Sequence, residues 1–216
     1  MNIVKLVSIT KPLIDGIETA DDFIAYVARV SNPSNQSNTL TSDKLIKYLI
    51  NNHHWSPFEL VHLTMEIETT RDIARQILRH RSFSFQEFSQ RYADPTKSLG
   101  FVTRENREQD LKNRQNSIES SNEEISEEWN QKQLDLIDKV NELYNWAIDN
   151  KIAKEQARAV LPEGLTMSKM YMSGSLRSWW HYCELRCGNG TQKEHKEIAD
   201  ECKFILLQNF KSLQGL

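Results

Sequence analysis

The chain has 216 residues, 38% of them hydrophobic, enough for one packed domain of ordinary size that folds without disulfides. Twenty-seven Lys and Arg against thirty Asp and Glu leave a net charge of -3, which excludes a global positive field for recruiting nucleic acid or anionic membrane, so any anion site must be local. The apolar run in MNIVKLVSIT is too short for a signal-peptide core, no stretch approaches the ~20 apolar residues of a membrane span, and the odd set Cys183, Cys187 and Cys202 reads as reduced thiols, so a cytoplasmic protein is expected.

Residues 2–9, rich in Ile, Val and Leu, predict a strand. Thr19 is placed to cap a helix through Phe23, Ile24, Val27 and Val30, which Asn32-Pro33 and the polar loop SNPSNQSNT stop. Thr41 or Ser42 opens a second helix with Leu45, Ile46, Leu49 and Ile50 on one face, and Pro57 closes the turn that follows. From Leu60, the residues Val61, Leu63, Met65 and Ile67 alternate with His62, Thr64, Glu66 and Glu68, a period of two that predicts a half-buried strand in an antiparallel or mixed sheet. Thr70 and Asp72 begin a short helix, TRDIARQILRH, which turns Ile73, Ile77 and Leu78 inward and sets Arg75, Gln76 and Arg79 on a common face near its end. SFSFQEFSQRY is extended or looped, because Phe83, Phe85 and Phe88 show no helical period. Residues 104–133 are dominated by charged and amide side chains and read as a solvated insertion or lid. Ile125, Trp129, Leu136, Val140, Leu143 and Ala147 then describe a long amphipathic helix. A short helix over 154–161 ends at Pro162, and two more, 175–186 and 192–207, flank the turn CGNG. The sum is a helix-rich α+β single domain with a central mixed or antiparallel sheet.

Residues 79–92, RHRSFSFQEFSQRY, gather five ionisable side chains and four hydroxyls around three phenylalanines. Arg79 and Arg81 bracket His80, and a guanidinium holds phosphate or carboxylate in a bidentate fork without losing its charge. A lone RHR is more often a basic surface face, but Glu87, Ser89, Gln90 and Arg91 follow within one loop and add the donors and acceptors that a ligand with sugar hydroxyls and phosphate requires. Ser89 is the only candidate nucleophile there, and with no base fixed beside it by sequence it is assigned to binding. No metal is expected: Cys183, Cys187 and His195 lack an established ligand spacing, and His53, His54 and His62 are no better arranged. Trp179 and Trp180 point in different directions on a helix, so at least one packs in the core while the other could stack on a ligand ring.

RHR, seven residues, then Ser is the pattern of Arg79, His80, Arg81 and Ser89, and it resembles the signature of flavin-dependent thymidylate synthases, with Glu87 and Arg91 also in the family's places. HWSPFE at 54–59, ARQ at 74–76, ARVS ending at Ser31, ARAVLP with Arg158, and SLRSWWHYCELR with Arg177, His181 and Arg186 resemble further blocks of the same family. The resemblance covers most of the chain, leaving out chiefly residues 104–133 and the C-terminal end. It implies methylation of dUMP to dTMP with methylenetetrahydrofolate as carbon donor, FAD as hydride carrier and NADPH as reductant of the flavin, in a homotetramer whose active sites lie between subunits. By resemblance, FAD is held by Arg79, His80, Arg81 and Glu87, helped by Ser31, His54, Ser56, Glu59, Ser175, Arg177 and His181. The dUMP site uses Gln76, Arg79, Glu87, Ser89, Gln90 and Arg91, with Arg158 and Arg186 supplied from other subunits.

Uracil is a poor nucleophile at the carbon to be methylated, and a guanidinium against the ring favours its enolate-like form, which makes Arg186 the candidate catalytic residue. Its alternative role is a helix C-terminal charge before the CGNG turn. Three positions depart from the family pattern: Gln86 stands where Asn is common, Ser175 where Asn is frequent, and Gly190 where a His often lies. Gln86 can still donate to the flavin, and Gln192, or His195 if the turn is repacked, can replace what is missing. Two alternatives stand beside this reading: a family member acting on a different pyrimidine nucleotide, and a nucleotide- or RNA-binding module built on Arg79, Arg81, Arg91 and the phenylalanines. Net acidity and the spread of the matches count against the second.

Overall fold

The computed structural model describes residues 2–214. Strand β1 (Ile3–Ile9) leads into helix α1 (Ala20–Ala28), where the Thr19 hydroxyl accepts the Asp22 N–H at 3.0 Å as the cap, and then into α2 (Ser42–Asn51). Helix α1 stops short of Val30, which is 68% exposed and packs on no helix face. After a 3-10 turn at Ser56–Leu60 come β2 (His62–Thr70), α3 (Arg71–Ile77) and β3 (Ser84–Glu87). The chain continues through α4 (Pro95–Ser98), β4 (Arg107–Gln109), β5 (Ser117–Glu119), α5 (Glu123–Asp149) and α6 (Lys154–Ala157). It ends with β6 (Met167–Ser175), α7 (Leu176–Arg186) and α8 (Lys193–Asn209).

The main sheet runs β1-β2-β6-β3 with every pairing antiparallel, which settles the choice between mixed and antiparallel. Strand β6 is absent from the sequence-based elements, yet it is central, pairing β2 from His62↔Ser175 to Thr70↔Met167. MSKMYMSGS contains no β-branched residue, so propensity hides it; its one signal is the period of two that turns Met170 and Met172 inward and Lys169, Tyr171 and Ser173 outward. Leu63, Met65 and Ile67 of β2 share that inward face and meet Trp179, Tyr182, Ile198, Cys202 and Leu206 of α7 and α8 in one core. The opposite face is polar: Lys169 pairs with Glu68 at 2.6 Å, and the Tyr171 hydroxyl donates to Glu66 at 2.9 Å. Trp179 and Trp180 are both buried, and the Trp179 indole N–H donates to the Leu63 carbonyl at 3.2 Å, so both tryptophans serve packing.

Residues 104–133 contain the β4–β5 hairpin, paired from Arg107↔Glu119 to Gln109↔Ser117, and the first turns of α5. Arg104 pins the base of this segment, pairing with Asp72 at 2.8 Å and with Glu194 at 3.1 Å, and Arg107 also pairs with Glu194. Helix α5 closes a second, smaller core through Val140, Tyr144 and Ala147 against Ala157 and Leu161. The rest of its apolar stripe faces out: Ile125, Trp129, Leu136, Leu143 and Trp146 are between 43% and 57% exposed.

Candidate functional site

Helix α3 ends at Ile77, so Arg79 lies beyond it rather than on a face shared with Arg75 and Gln76. Arg75 pairs with Glu163 at 3.3 Å, while the backbone N–H groups of Arg79 and His80 donate to the Gln76 and Ile77 carbonyls and turn the signature away from the helix axis. Arg79 and Arg81 are exposed and have no carboxylate partner among the described residues, whereas Arg71, Arg91 and Arg177 pair with Glu87, Glu155 and Glu59. Phe83 anchors the loop, its ring centroid 4.8 Å from that of Trp179 at an interplanar angle of 75°. Gly174 of β6 makes the room: a Cβ there would stand 2.5 Å from Phe83 Cδ1.

Behind the signature lies a partly buried polar chain. The Arg186 Nε–H donates to His80 Nε2 at 3.0 Å, which requires a neutral His80 with its proton on Nδ1. Burial first, then the charges of Arg186 and Arg79, pull the His80 pKa to about 4. The Tyr182 ring meets His80 edge-on at 5.0 Å. His195 is fully buried, with Nδ1 3.2 Å from Gln76 Oε1 and Nε2 3.1 Å from the Tyr182 hydroxyl. Its pKa falls to about 3, through burial above all and then Arg186 and His80; burial pushes the Tyr182 phenol up, leaving it a proton donor. Gln76 donates to Gln192 at 2.8 Å, and Gln192 to Glu194 at 2.9 Å.

Sequence reasoning placed Gln192, and His195 if the turn is repacked, beside the flavin and left Tyr182 without a role. The available signal was register: His195, Ile198, Ala199 and Cys202 form the buried stripe of α8, so a histidine there must satisfy its nitrogens internally. Gly190 has φ +90°, a conformation strained for L side chains, which accounts for glycine where the family pattern often has histidine.

Toward the start of α7, the Ser175 hydroxyl caps the helix by accepting the Ser178 N–H at 3.2 Å and donates to Glu59. Arg177 donates to the other Glu59 oxygen at 2.6 Å. Burial would raise the Glu59 pKa, but Ser175 and Arg177 outweigh it and hold the carboxyl below its ordinary range. His181 lies edge-on to Trp55 at 5.0 Å and His54 edge-on to Tyr48 at 6.1 Å; Ser56 is exposed at the start of the 3-10 turn. The structure thus gathers Glu59, Ser175 and Arg177, with His181 one turn further along the exposed side of α7. Ser31 stands in an exposed turn after α1, and no hydrogen bond among the described residues ties it to this group.

The second half of the signature follows the sheet edge. Glu87 accepts from the Ser168 hydroxyl at 2.8 Å and pairs with Arg71 at 3.4 Å, while Gln86 is exposed opposite Tyr171. Gln90 is 4% exposed and its Nε2 lacks a hydrogen-bond partner, a buried donor still owed an acceptor. Ser89 accepts the Arg91 N–H at 3.4 Å, and no imidazole or carboxylate bonds it among the described residues. Arg91 with Glu155 at 3.5 Å and Lys154 with the Tyr92 carbonyl at 2.9 Å dock α6 against the motif. Arg158, half-buried, follows directly. Gln86, Glu87, Phe88, Ser89, Lys169 and Tyr171 help line a cavity of about 360 Å³. Among the described residues no group of three His, Cys, Asp or Glu side chains gathers as a metal site, and no helix is long and apolar enough to cross a membrane.

Comparison with known proteins places this arrangement in context. A family model described as thymidylate synthase complementing protein matches residues 12–210. The probable flavin-dependent thymidylate synthase of Paramecium bursaria Chlorella virus 1 is 49% identical over 97% of this chain and 95% of its own length. The flavin-dependent thymidylate synthase of Synechocystis sp. is 46% identical over 97% of this chain and 96% of its own length. In structure, the chain is similar to a UMP/dUMP methylase, PolB, from Streptomyces cacaoi bound with 5-Br dUMP, with a TM-score of 0.79, 24% identity, and coverage of 98% of this chain and 92% of that one. At that identity the likeness concerns the fold.

Proposed function

Given that the chain belongs to the family of flavin-dependent thymidylate synthases, we propose that it methylates dUMP to dTMP, with methylenetetrahydrofolate as carbon donor, FAD as hydride carrier and NADPH as reductant of the flavin. One observation carries the reading above the others: the Arg186 guanidinium lies against neutral His80 at the centre of the signature, tethered among the described residues through Nε alone. Its terminal nitrogens are left to face a pyrimidine and to stabilise the negative charge that develops when the ring is polarised. Ser89, without an activating base, binds rather than attacks, so the electrostatic route is the one these residues support.

The residues present suit a flavin dinucleotide. Arg79 and Arg81, exposed and unpaired with carboxylates among the described residues, offer two guanidinium forks to a pyrophosphate, and His54, Ser56, Glu59, Arg177 and His181 present polar groups along the α7 side. FAD held by these residues would supply the hydride that completes the methyl group. Glu87, Ser89, Gln90 and Arg91 would hold the sugar and phosphate of dUMP. Arg158 and Arg186 serve sites shared between subunits of a homotetramer. The exposed stripe of α5 is a surface such assembly would cover, since a monomer leaves it in water.

The test is optical and isotopic. Protein mixed with FAD is expected to hold the flavin, bleach on addition of NADPH, and release tritium from dUMP labelled at the methylated carbon only when methylenetetrahydrofolate is present. Protein that takes up no flavin but retains RNA would sink the reading in favour of a binding module. Turnover of another pyrimidine nucleotide in preference to dUMP would replace the substrate and keep the chemistry.

A further inference from the structure

Gln76 belongs both to the proposed dUMP site and to the partly buried polar chain. A side-chain amide can sit either way round, and its orientation decides which pattern of donors and acceptors it reads. Here the choice is not free. Glu194 Oε1 pairs with Arg104 at 3.1 Å and also with Arg107, so the carboxylate is ionised and only accepts. Gln192 must therefore turn its Nε2 toward Glu194, at 2.9 Å, which leaves its Oε1 for Gln76. Gln76 must then donate its Nε2 to that oxygen, at 2.8 Å, and turn its Oε1 toward His195 Nδ1, at 3.2 Å. His195 carries its proton on Nδ1, and its bare Nε2 accepts from the Tyr182 hydroxyl at 3.1 Å. Each link has one consistent direction, imposed from the Glu194 end.

We propose that this one-way hydrogen-bond chain holds the Gln76 amide as the group that selects a 4-oxo over a 4-amino pyrimidine nucleotide. The inference rests on the dUMP reading. Gln76 is half-buried and keeps one N–H and one carbonyl lone pair for a ligand. That pair matches the 4-oxo group and N3–H of uracil, whereas the 4-amino group and bare N3 of cytosine require the reverse. A flipped Gln76 would set its oxygen against the Gln192 oxygen and drive His195 to its other tautomer, in which the Tyr182 hydroxyl must accept and loses the imidazole as its own acceptor. Gln192, Glu194 and His195 are positioning residues in this scheme, and the anchor of the chain is supplied by Arg104 and Arg107 at the base of the β4–β5 hairpin.

The experiment titrates FAD-loaded full-length protein with dUMP and with dCMP, reading the flavin absorbance. The native protein is expected to bind dUMP at least about tenfold more tightly than dCMP. Glu194→Gln, whose amide can donate or accept, is expected to bring the ratio to within about threefold. Glu194→Asp, which still only accepts, and Tyr182→Phe, at the far end of the chain, keep it. A merely structural role for Glu194 would instead weaken both nucleotides alike. Should Glu194→Gln not fold, Gln192→Lys serves: its ammonium only donates, which turns Gln76 round and shifts preference toward dCMP, with flavin absorbance checking that the cofactor is still held. An unchanged ratio in Glu194→Gln, or in Gln192→Lys where that variant has to be used, overturns the inference. Native protein that binds flavin and neither nucleotide overturns the substrate reading itself, and the inference with it.

Discussion

The internal polar chain behind the signature and the exposed flank beside it are both polar and behave in opposite ways. From Glu194 through Gln192, Gln76 and His195 to Tyr182, each link joins a donor to an acceptor of the same chain, and His80 and His195 are neutral. On the flank, Arg79 and Arg81 face outward with no carboxylate partner among the described residues, and His54, Arg177 and His181 are exposed. The first region is ordered by folding and the second awaits a ligand or a neighbouring subunit. Substitutions should therefore separate: changes to the internal chain and its packing show in stability and selectivity, changes facing the ligand show in turnover.

The largest effect is expected at the junction of the two. Arg186→Ala should lower tritium release from labelled dUMP by about 10²–10³-fold, the usual cost of losing one preorganised charge-stabilising donor, with flavin uptake unchanged. Undiminished turnover would remove Arg186 from the chemistry and leave it a helix C-terminal charge. Next, Gly174→Ala forces its Cβ against the Phe83 ring, and overpacking of this kind costs roughly 1–3 kcal/mol. A lowered melting temperature with poorer retention of flavin is expected, because Phe83 carries the loop that presents Arg79 and Arg81; an unaltered melting curve would mean the loop is held elsewhere.

The last prediction tests the neutrality of the two imidazoles. Their pKa values lie near 4 and 3 in the folded chain against 6.5 when unfolded, so between these limits the unfolded state binds protons that the folded state does not. Stability should accordingly be unaffected by these groups above pH ~6.5 and decline as the pH falls from there toward ~4. Thermal melts across that range check it, and His195→Gln should flatten the decline; a slope unchanged by the substitution would show that other groups govern it.

Much of the fold was legible because local chemistry agreed with tertiary demand. Thr19 caps α1, Thr70 precedes α3, and the alternation of β2 was read from Leu63, Met65 and Ile67. Strand β6 was not legible because methionine packs a central strand without advertising it, the burial being imposed by β2 and β3 on either side. The signature residues were found by their spacing, but their supports were not. Gln76 and Gln192 are 116 positions apart, and Arg186 and His80 are 106 apart. Pairings of that kind depend on how α3, α7 and α8 pack, which no window of sequence contains. Ser175, matched to ligand binding by resemblance, also has a structural duty that resemblance does not reveal: its hydroxyl bonds Glu59 and caps the start of α7.

Ser175 is both the last residue of β6 and the cap of α7, so no linker separates the central strand from the helix that carries Arg177, His181, Tyr182 and Arg186. One residue inserted at this joint would turn the helix by roughly 100° against the sheet and exchange its inner and outer faces. Length is therefore fixed by the fold at 175–176, where strand and helix share a residue and no slack exists to absorb an insertion.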